Sequence, residues 1–128
     1  MSTFYEEVGG EAFFNDFVSQ FYARVATDLI LRPMYPEKDM QGAAIRFKMF
    51  LEQYWGGPGT YSEERGHPRL RMRHAGFHID IAARDAWLAC AMGALDGMQM
   101  PDANRTQLRE YLEMAAHGMV NSSENHSL

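Results

Sequence analysis

Three histidines, His67, His74 and His78, lie close together and carry the clearest chemical potential in the chain. A neutral imidazole is a common metal ligand. On a helix His74 would share a face with Leu70, four residues earlier, so that one face is apolar and also carries a ligand. Three interpretations follow: a half-buried structural histidine, a zinc ligand shared with His78, or the proximal ligand of a haem iron. For zinc, the sequence offers no well-placed third ligand.

A haem site needs a large apolar slot and cations for the propionates as well as one neutral imidazole. Two phenylalanine-rich predicted helices can supply the slot, and Arg46, Arg71 and Arg73 are candidate propionate partners. The arginines at 65, 69, 71 and 73 could instead form a solvated basic face or bind a small anion. From the residues alone, a haem pocket is one interpretation among these.

Other kinds of chemistry have no recognisable motif. The sequence contains no phosphate-binding glycine loop, no Gly-x-Ser-x-Gly and no Cys-x-x-Cys. The single cysteine, Cys90, excludes an intramolecular disulfide and a zinc site with several thiolates. Because Cys90 lies in a helical apolar stretch, it is interpreted as a small buried residue.

Composition predicts one soluble globular domain over residues 1–128, with a flexible tail at 121–128. Apolar residues make up 46% and charged residues 23% of the 128 residues. The net charge of −5 argues against a nucleic-acid partner, since such proteins are usually basic. No apolar run approaches the roughly 18 residues of a membrane span, and the acidic start does not resemble a secretory signal, so a cytoplasmic location without integral membrane association is expected.

The elements that must position these side chains are helices, because apolar residues recur at helical spacing and alternating strands are absent. We predict an all-α domain of four main helices plus short ones. Thr3 and Glu6 have capping-box spacing for a short helix that Gly9-Gly10 ends, and Asp39 and Asp80 are expected caps of later helices. After the first short helix, the predicted helices run over about 11–26, from 40 to about 54, over about 68–75, from Asp80 through at least Leu95, and from 102 onwards.

Several short motifs resemble the group II truncated haemoglobins, and the actinobacterial members most closely. The first is Phe50-Leu51-Glu52-Gln53-Tyr54-Trp55-Gly56-Gly57-Pro58. Others follow in the same order and spacing as in that family: Phe4-Tyr5, Gly9-Gly10, Phe21-Tyr22, Met34-Tyr35-Pro36, Tyr61-Ser62-Glu63, the run 65–74 and Arg84-Asp85-Ala86-Trp87-Leu88. Each piece is short, but together they cover Thr3 to about Ser122.

The resemblance implies a two-over-two helical sandwich around haem b. His74 matches the proximal histidine that binds iron, Tyr22 and Tyr35 match two distal tyrosines, and Trp87 matches a distal tryptophan. Ala43 falls where many globins have a distal histidine or glutamine. The remaining expected cofactor contacts are on the propionate side (Arg46, Tyr61, Arg73) and on the apolar walls (Phe47, Phe50, Leu70, Phe77, Ile79), with Phe47 at a position that is often leucine.

These matches imply reversible binding of O2, CO or NO at a five-coordinate iron, with slow O2 release caused by the tyrosine and tryptophan donors. A protein that retains O2 tightly is better suited to NO dioxygenation or peroxide chemistry than to O2 transport, and such chemistry would need a reductase, which is unidentified. The chain could also form a homo-oligomer. The alternatives are a six-coordinate electron-transfer haem protein, for which Met40 is the nearest second ligand, and a haem-free helical interaction module. An absorption spectrum separates the three.

Replacing His74 by alanine tests the ligand assignment. The change removes the imidazole that the resemblance places on the iron, so we expect weaker haem binding and a shifted Soret band. Haem titration followed by absorption measures both. Wild-type affinity together with a wild-type spectrum would show that another residue binds the iron.

Overall fold

The computed structural model describes residues 2–35, 40–58 and 80–120, and within these ranges all regular structure is helical. The predicted all-α fold is therefore confirmed. The elements are α1 (Phe4–Val8), α2 (Glu11–Val25), a 3₁₀ turn (Arg32–Met34), α3 (Met40–Tyr54), α4 (Ile81–Asp96) and α5 (Asp102–Gly118). The predicted Asp39 cap, the helix over 68–75 and the tail at 121–128 lie outside the described residues.

Helix α1 begins and ends as its sequence predicts. The backbone N–H of Glu6 donates to Thr3 Oγ1 at 3.2 Å, and the N–H of Thr3 donates to Glu6 Oε1 at 3.0 Å. These two bonds satisfy backbone donors that have no partner in the first turn of the helix. Gly9 then ends α1 with a φ of 113°, a left-handed conformation that glycine adopts without strain.

Residues 26–35, which follow α2, are held in turns by backbone and side-chain hydrogen bonds. Asp28 Oδ1 accepts hydrogen bonds from the N–H groups of Ile30 and Leu31, both at 2.9 Å, which fixes the start of the turn. Pro33 then lies in the first positions of a 3₁₀ turn, where a missing N–H costs nothing. This turn delivers Tyr35 to the side of α2.

The four long helices form two packed pairs. Helix α2 packs on α3, α4 packs on α5, and α2 also crosses α4, so that the pairs lie against each other in a two-over-two arrangement. The apolar stripe of α2 supplies much of the core, and its buried members are Phe13, Phe14, Phe17, Val18, Phe21 and Val25. From α5, Leu108 and Leu112 are fully buried against the same core.

Small residues allow α2 to approach α4 closely. A Cβ atom added at Gly93 would lie 2.5 Å from Nε of Arg24, so the glycine leaves the space that the arginine side chain occupies. Cys90, one turn earlier on α4, is buried as predicted, and burial raises the pKa of its thiol. The thiol therefore stays protonated near neutral pH.

Polar contacts attach α5 to distant parts of the chain. Arg105 donates from Nη1 to the carbonyl oxygen of Leu95 at 2.7 Å, and from Nη2 to that of Met98, so it satisfies carbonyls near the end of α4. Buried Asn104 donates to Glu7 Oε1 at 3.0 Å. His117 is exposed, and its Nδ1 accepts a 2.9 Å hydrogen bond from Arg84 Nη1.

No helix among residues 2–35, 40–58 and 80–120 is long and apolar enough to cross a lipid bilayer.

Gly57 is predicted to be intolerant of a side chain. An alanine Cβ there would lie 2.7 Å from Cδ2 of Tyr5 and 2.9 Å from the backbone oxygen of Glu52. Neither neighbour can move without disturbing α1 or α3, so we expect Gly57→Ala to lose about 1–3 kcal/mol of unfolding free energy. Urea unfolding followed by circular dichroism measures it.

Gly118→Ala is the matched control, because no atom of residues 2–35, 40–58 or 80–120 lies within 4 Å of its added Cβ at the end of α5. Its unfolding midpoint should equal or exceed that of the wild type. A Gly57→Ala midpoint as high as the Gly118→Ala midpoint would contradict the close packing.

Candidate functional site

Four aromatic side chains from four parts of the chain meet in one place, and we call them the distal cluster: Tyr22, Tyr35, Phe47 and Trp87. Tyr22 lies on α2 with its ring centroid 5.7 Å from that of Tyr35, at an interplanar angle of 88°. Phe47 on α3 lies between the others, 6.2 Å from Tyr22 and 6.1 Å from Trp87 on α4. The structure thus brings together the three residues predicted as distal donors.

The two tyrosine hydroxyl groups of the distal cluster already have partners within the protein. Tyr22 donates to the backbone carbonyl of Ala43 across a long 3.5 Å hydrogen bond. Its hydroxyl also hydrogen-bonds the hydroxyl of Tyr35. Each phenol carries one hydrogen, so the Tyr22 hydroxyl donates either to the carbonyl of Ala43 or to the oxygen of Tyr35 at any one time. Donation from Tyr22 is the arrangement that stabilises the Tyr35 phenolate.

Burial controls the ionisation of Tyr35. Loss of solvent raises the pKa of its hydroxyl above the ordinary value, since the charged phenolate is disfavoured away from water. The hydrogen bond with Tyr22 partly lowers that pKa, and the nearby Cys90 raises it. The phenol of Tyr35 therefore remains a neutral hydrogen-bonding group throughout the neutral pH range.

The indole of Trp87 differs from the phenols because its N–H remains available. Within the described part of the chain, Trp87 makes ring contacts but no hydrogen bond. An indole N–H is a donor only, and a donor of this kind usually has an acceptor when it is buried. Trp87 is half-buried, so its N–H can serve an acceptor that comes from outside the chain.

An incompletely covered apolar surface lies beside the distal cluster. Phe47 and Phe50 on α3 are half-buried, and Arg46 lies one helical turn before Phe50 on the same helix. Other apolar side chains of α3 and α4 pack on the core and keep part of their surface accessible: Met40, Ala44, Ala86, Leu88 and Met92. Apolar walls, neutral donors and one cation suit a flat apolar group with an anionic edge, so the described residues fit a haem.

From the sequence, Phe21 is only part of the Phe21-Tyr22 motif and has no predicted role, yet its ring contacts three members of the distal cluster. The centroid distances are 4.9 Å to Tyr22, 5.3 Å to Phe47 and 5.4 Å to Trp87. The sequence contained one hint, since Phe21 immediately precedes Tyr22. Spacing alone could not show which helices cross at this residue.

Several predicted site residues lie outside the described residues. They are His74, the expected iron ligand, together with Tyr61, Leu70, Arg73, Phe77 and Ile79. His78, which the zinc interpretation required, lies outside as well. Within the ranges that are described, no group of three or more histidine, cysteine, aspartate or glutamate side chains could hold a metal ion.

Known proteins resemble this chain over nearly its whole length. The family model for bacterial-like globins matches residues 3–121. Group 2 truncated hemoglobin YjbI of Bacillus subtilis is 42% identical over 120 residues, covering 94% of this chain and 89% of that protein. A thermostable hemoglobin from the actinobacterium Thermobifida fusca is 53% identical with a TM-score of 0.91, covering 94% of this chain and 98% of that one. A truncated oxygen-avid haemoglobin from Bacillus subtilis superposes with a TM-score of 0.86 at 42% identity, covering 94% of this chain and 100% of that one.

Tyr22→Phe should raise the pKa of Tyr35 further. The change removes the hydrogen bond that stabilises the Tyr35 phenolate and leaves burial in place. Because the folded-state pKa is raised above its unfolded value, the stability linked to Tyr35 is present below the ordinary phenol pKa and is lost as pH rises through the folded-state value. An alkaline titration followed by NMR of ¹³Cζ-labelled tyrosine reports the shift.

Tyr54→Phe is the control for this titration, because Tyr54 is exposed and its ring contacts lie outside the distal cluster. It should leave the pKa of Tyr35 unchanged. A pKa of Tyr35 that stays constant or falls in Tyr22→Phe would show that the two hydroxyls do not interact.

Proposed function

Because this chain belongs to the bacterial-like globin family and is a group II truncated haemoglobin, we propose that it holds O2 at a five-coordinate haem b and releases it slowly. Membership of the family establishes the coarser function, a haem-binding globin that binds oxygen. When bound, haem supplies the iron at which O2 and other diatomic gases coordinate. The proposal concerns what this chain's own residues contribute around that iron.

Residues on both sides of the proposed site hold the cofactor. We assign His74 as the proximal ligand, and Arg46, Tyr61 and Arg73 as the propionate partners. The walls would be Phe47, Phe50, Leu70, Phe77 and Ile79. The partly buried apolar side chains of α3 and α4 support this assignment, since they leave apolar surface against which a flat cofactor can pack.

The indole N–H of Trp87, which has no hydrogen-bond acceptor among the described residues, is the observation that carries the proposal. A ligand whose outer atom bears partial negative charge accepts a hydrogen bond, and Trp87 offers a donor that no other described residue uses. The hydroxyls of Tyr22 and Tyr35 hydrogen-bond each other beside it. In a dry site one such bond is worth about 1.4 kcal/mol, which corresponds to a slowing of release by roughly tenfold.

Two further features favour gas binding over the electron-transfer alternative. Ala43 is buried on α3 and has no ligating atom, and Phe47 beside it is apolar. A second protein ligand to the iron therefore has no candidate at these two positions, which leaves space for a small molecule. CO and NO would enter the same space, and a relative of this chain is named oxygen-avid. We include in the same proposal that peroxide binds at this position and that a separate reductase protein is a partner.

Trp87→Phe tests the proposed donor. The change keeps an aromatic ring and removes the N–H, so O2 should dissociate about tenfold faster. Stopped-flow mixing of the oxygenated protein with a chemical reductant that consumes free O2 measures the rate.

Trp55→Phe is the matched control, because Trp55 packs on Phe4 at 4.2 Å and on Tyr111 at 5.3 Å, away from the distal cluster. Its rate should equal that of the wild type. Equal rates in Trp87→Phe and Trp55→Phe would reduce Trp87 to a packing residue and refute slow release through its N–H.

A further inference from the structure

Phe21 lies beneath the distal cluster and connects it to the core. Its side chain is fully buried, whereas Tyr22, Phe47 and Trp87, which it contacts, are half-buried. The ring of Phe21 meets that of Tyr22 at an interplanar angle of 88° and that of Trp87 at 63°. Its angle to Phe47 is 57°. These tilted and edge-to-face arrangements are the ones that aromatic pairs prefer.

The indole of Trp87 is held between rings from two other helices. Phe21 reaches it from α2, with centroids 5.4 Å apart, and Phe47 reaches it from α3 at 6.1 Å. Because protein interiors are close-packed, a fully buried ring such as Phe21 cannot move aside without displacing its neighbours. The indole can therefore tilt toward α2 only if the Phe21 ring also moves.

We propose that Phe21 is a positioning residue that sets the tilt of the Trp87 indole and thereby the direction of its N–H. The inference rests on the proposed function, in which that N–H meets the bound ligand. Hydrogen bonds weaken steeply as the donor angle departs from linear. A side chain that fixes the indole therefore controls O2 release without touching the ligand.

Leucine at position 21 would separate the effect of the ring from that of burial. Leucine is apolar and can fill part of the same space, but it has no flat face against which the indole edge can pack. Phe17→Leu is the matched control. Phe17 is also fully buried on α2, one turn earlier, and its recorded ring contact is with Phe13 at 6.4 Å.

The experiment uses haem-loaded protein in a Trp55→Phe background, so that Trp87 is the single indole of a chain with two tryptophans. Among the described residues the Nε1 of Trp55 has no hydrogen-bond partner, so this background removes no hydrogen bond of that indole within them. Ultraviolet resonance Raman bands report the indole torsion and the strength of its N–H bonding. Stopped-flow kinetics give the O2 dissociation rate of the same samples.

Phe21→Leu should shift or broaden the torsion band and speed O2 dissociation by about fivefold. Phe17→Leu should keep the band, and its rate should stay within about twofold of the background at a similar loss of thermal stability. Phe21→Met, which also lacks a ring but adapts to irregular space, should behave like Phe21→Leu and provides a second ring-free variant if leucine prevents folding.

Two results would overturn the proposal: an unchanged torsion band in the ring-free variants at position 21, or equal band shifts in the position 21 and position 17 variants. Failure of the proposed function is a separate result. If Trp87→Phe leaves O2 release unchanged, Trp87 is not the donor, but the torsion band still shows whether Phe21 orients its indole.

Discussion

The crossing of α2 against both α3 and α4 is the contact on which the rest of the structure depends. It encloses the fully buried rings of Phe14, Phe17 and Phe21. Full burial of one such side chain stabilises a fold by about 1.5–3 kcal/mol. The same crossing holds Tyr22 on α2 near Trp87 on α4. The ring of the buried core residue Phe21 contacts both, so the hydrophobic core and the candidate site share these ring contacts.

The distal cluster combines engaged and available polar groups. Buried polar groups are costly unless they are hydrogen-bonded, and the phenols of Tyr22 and Tyr35 meet that requirement through each other and the carbonyl of Ala43. The indole of Trp87 is half-buried, and its N–H has no acceptor in the part of the chain that the structure describes. Rigid aromatic packing of the ring and an unengaged N–H together make a preorganised donor, which loses little freedom when an acceptor arrives.

Local signals in the sequence predicted the helices well, because the interactions that start them are local. Thr3 and Asp80 each accept a backbone N–H from three residues further along the chain, so the sequence contains both partners side by side. Contacts between helices could not be predicted from such local signals. The hydrogen bond of His117 with Arg84 and the ring contacts of Phe21 depend on where helices cross, and spacing along one helix carries no information about that crossing. The resemblance to a known family brought together the distal residues, whereas the supporting ring beneath them emerged only from the packing.

The polar contacts of α1 and α5 connect residues that are far apart in sequence. Tyr5 donates from its backbone N–H to the carbonyl of Trp55 at 2.9 Å, a bond that can form once the first half of the chain exists. The bond between Glu7 and Asn104 spans 97 residues and has to wait for the last helix. Non-local contacts of this kind slow folding, since the chain must close a long loop before they form. During synthesis on the ribosome, the hydrogen bond between Glu7 and Asn104 can therefore form only after the start of α5 has been made.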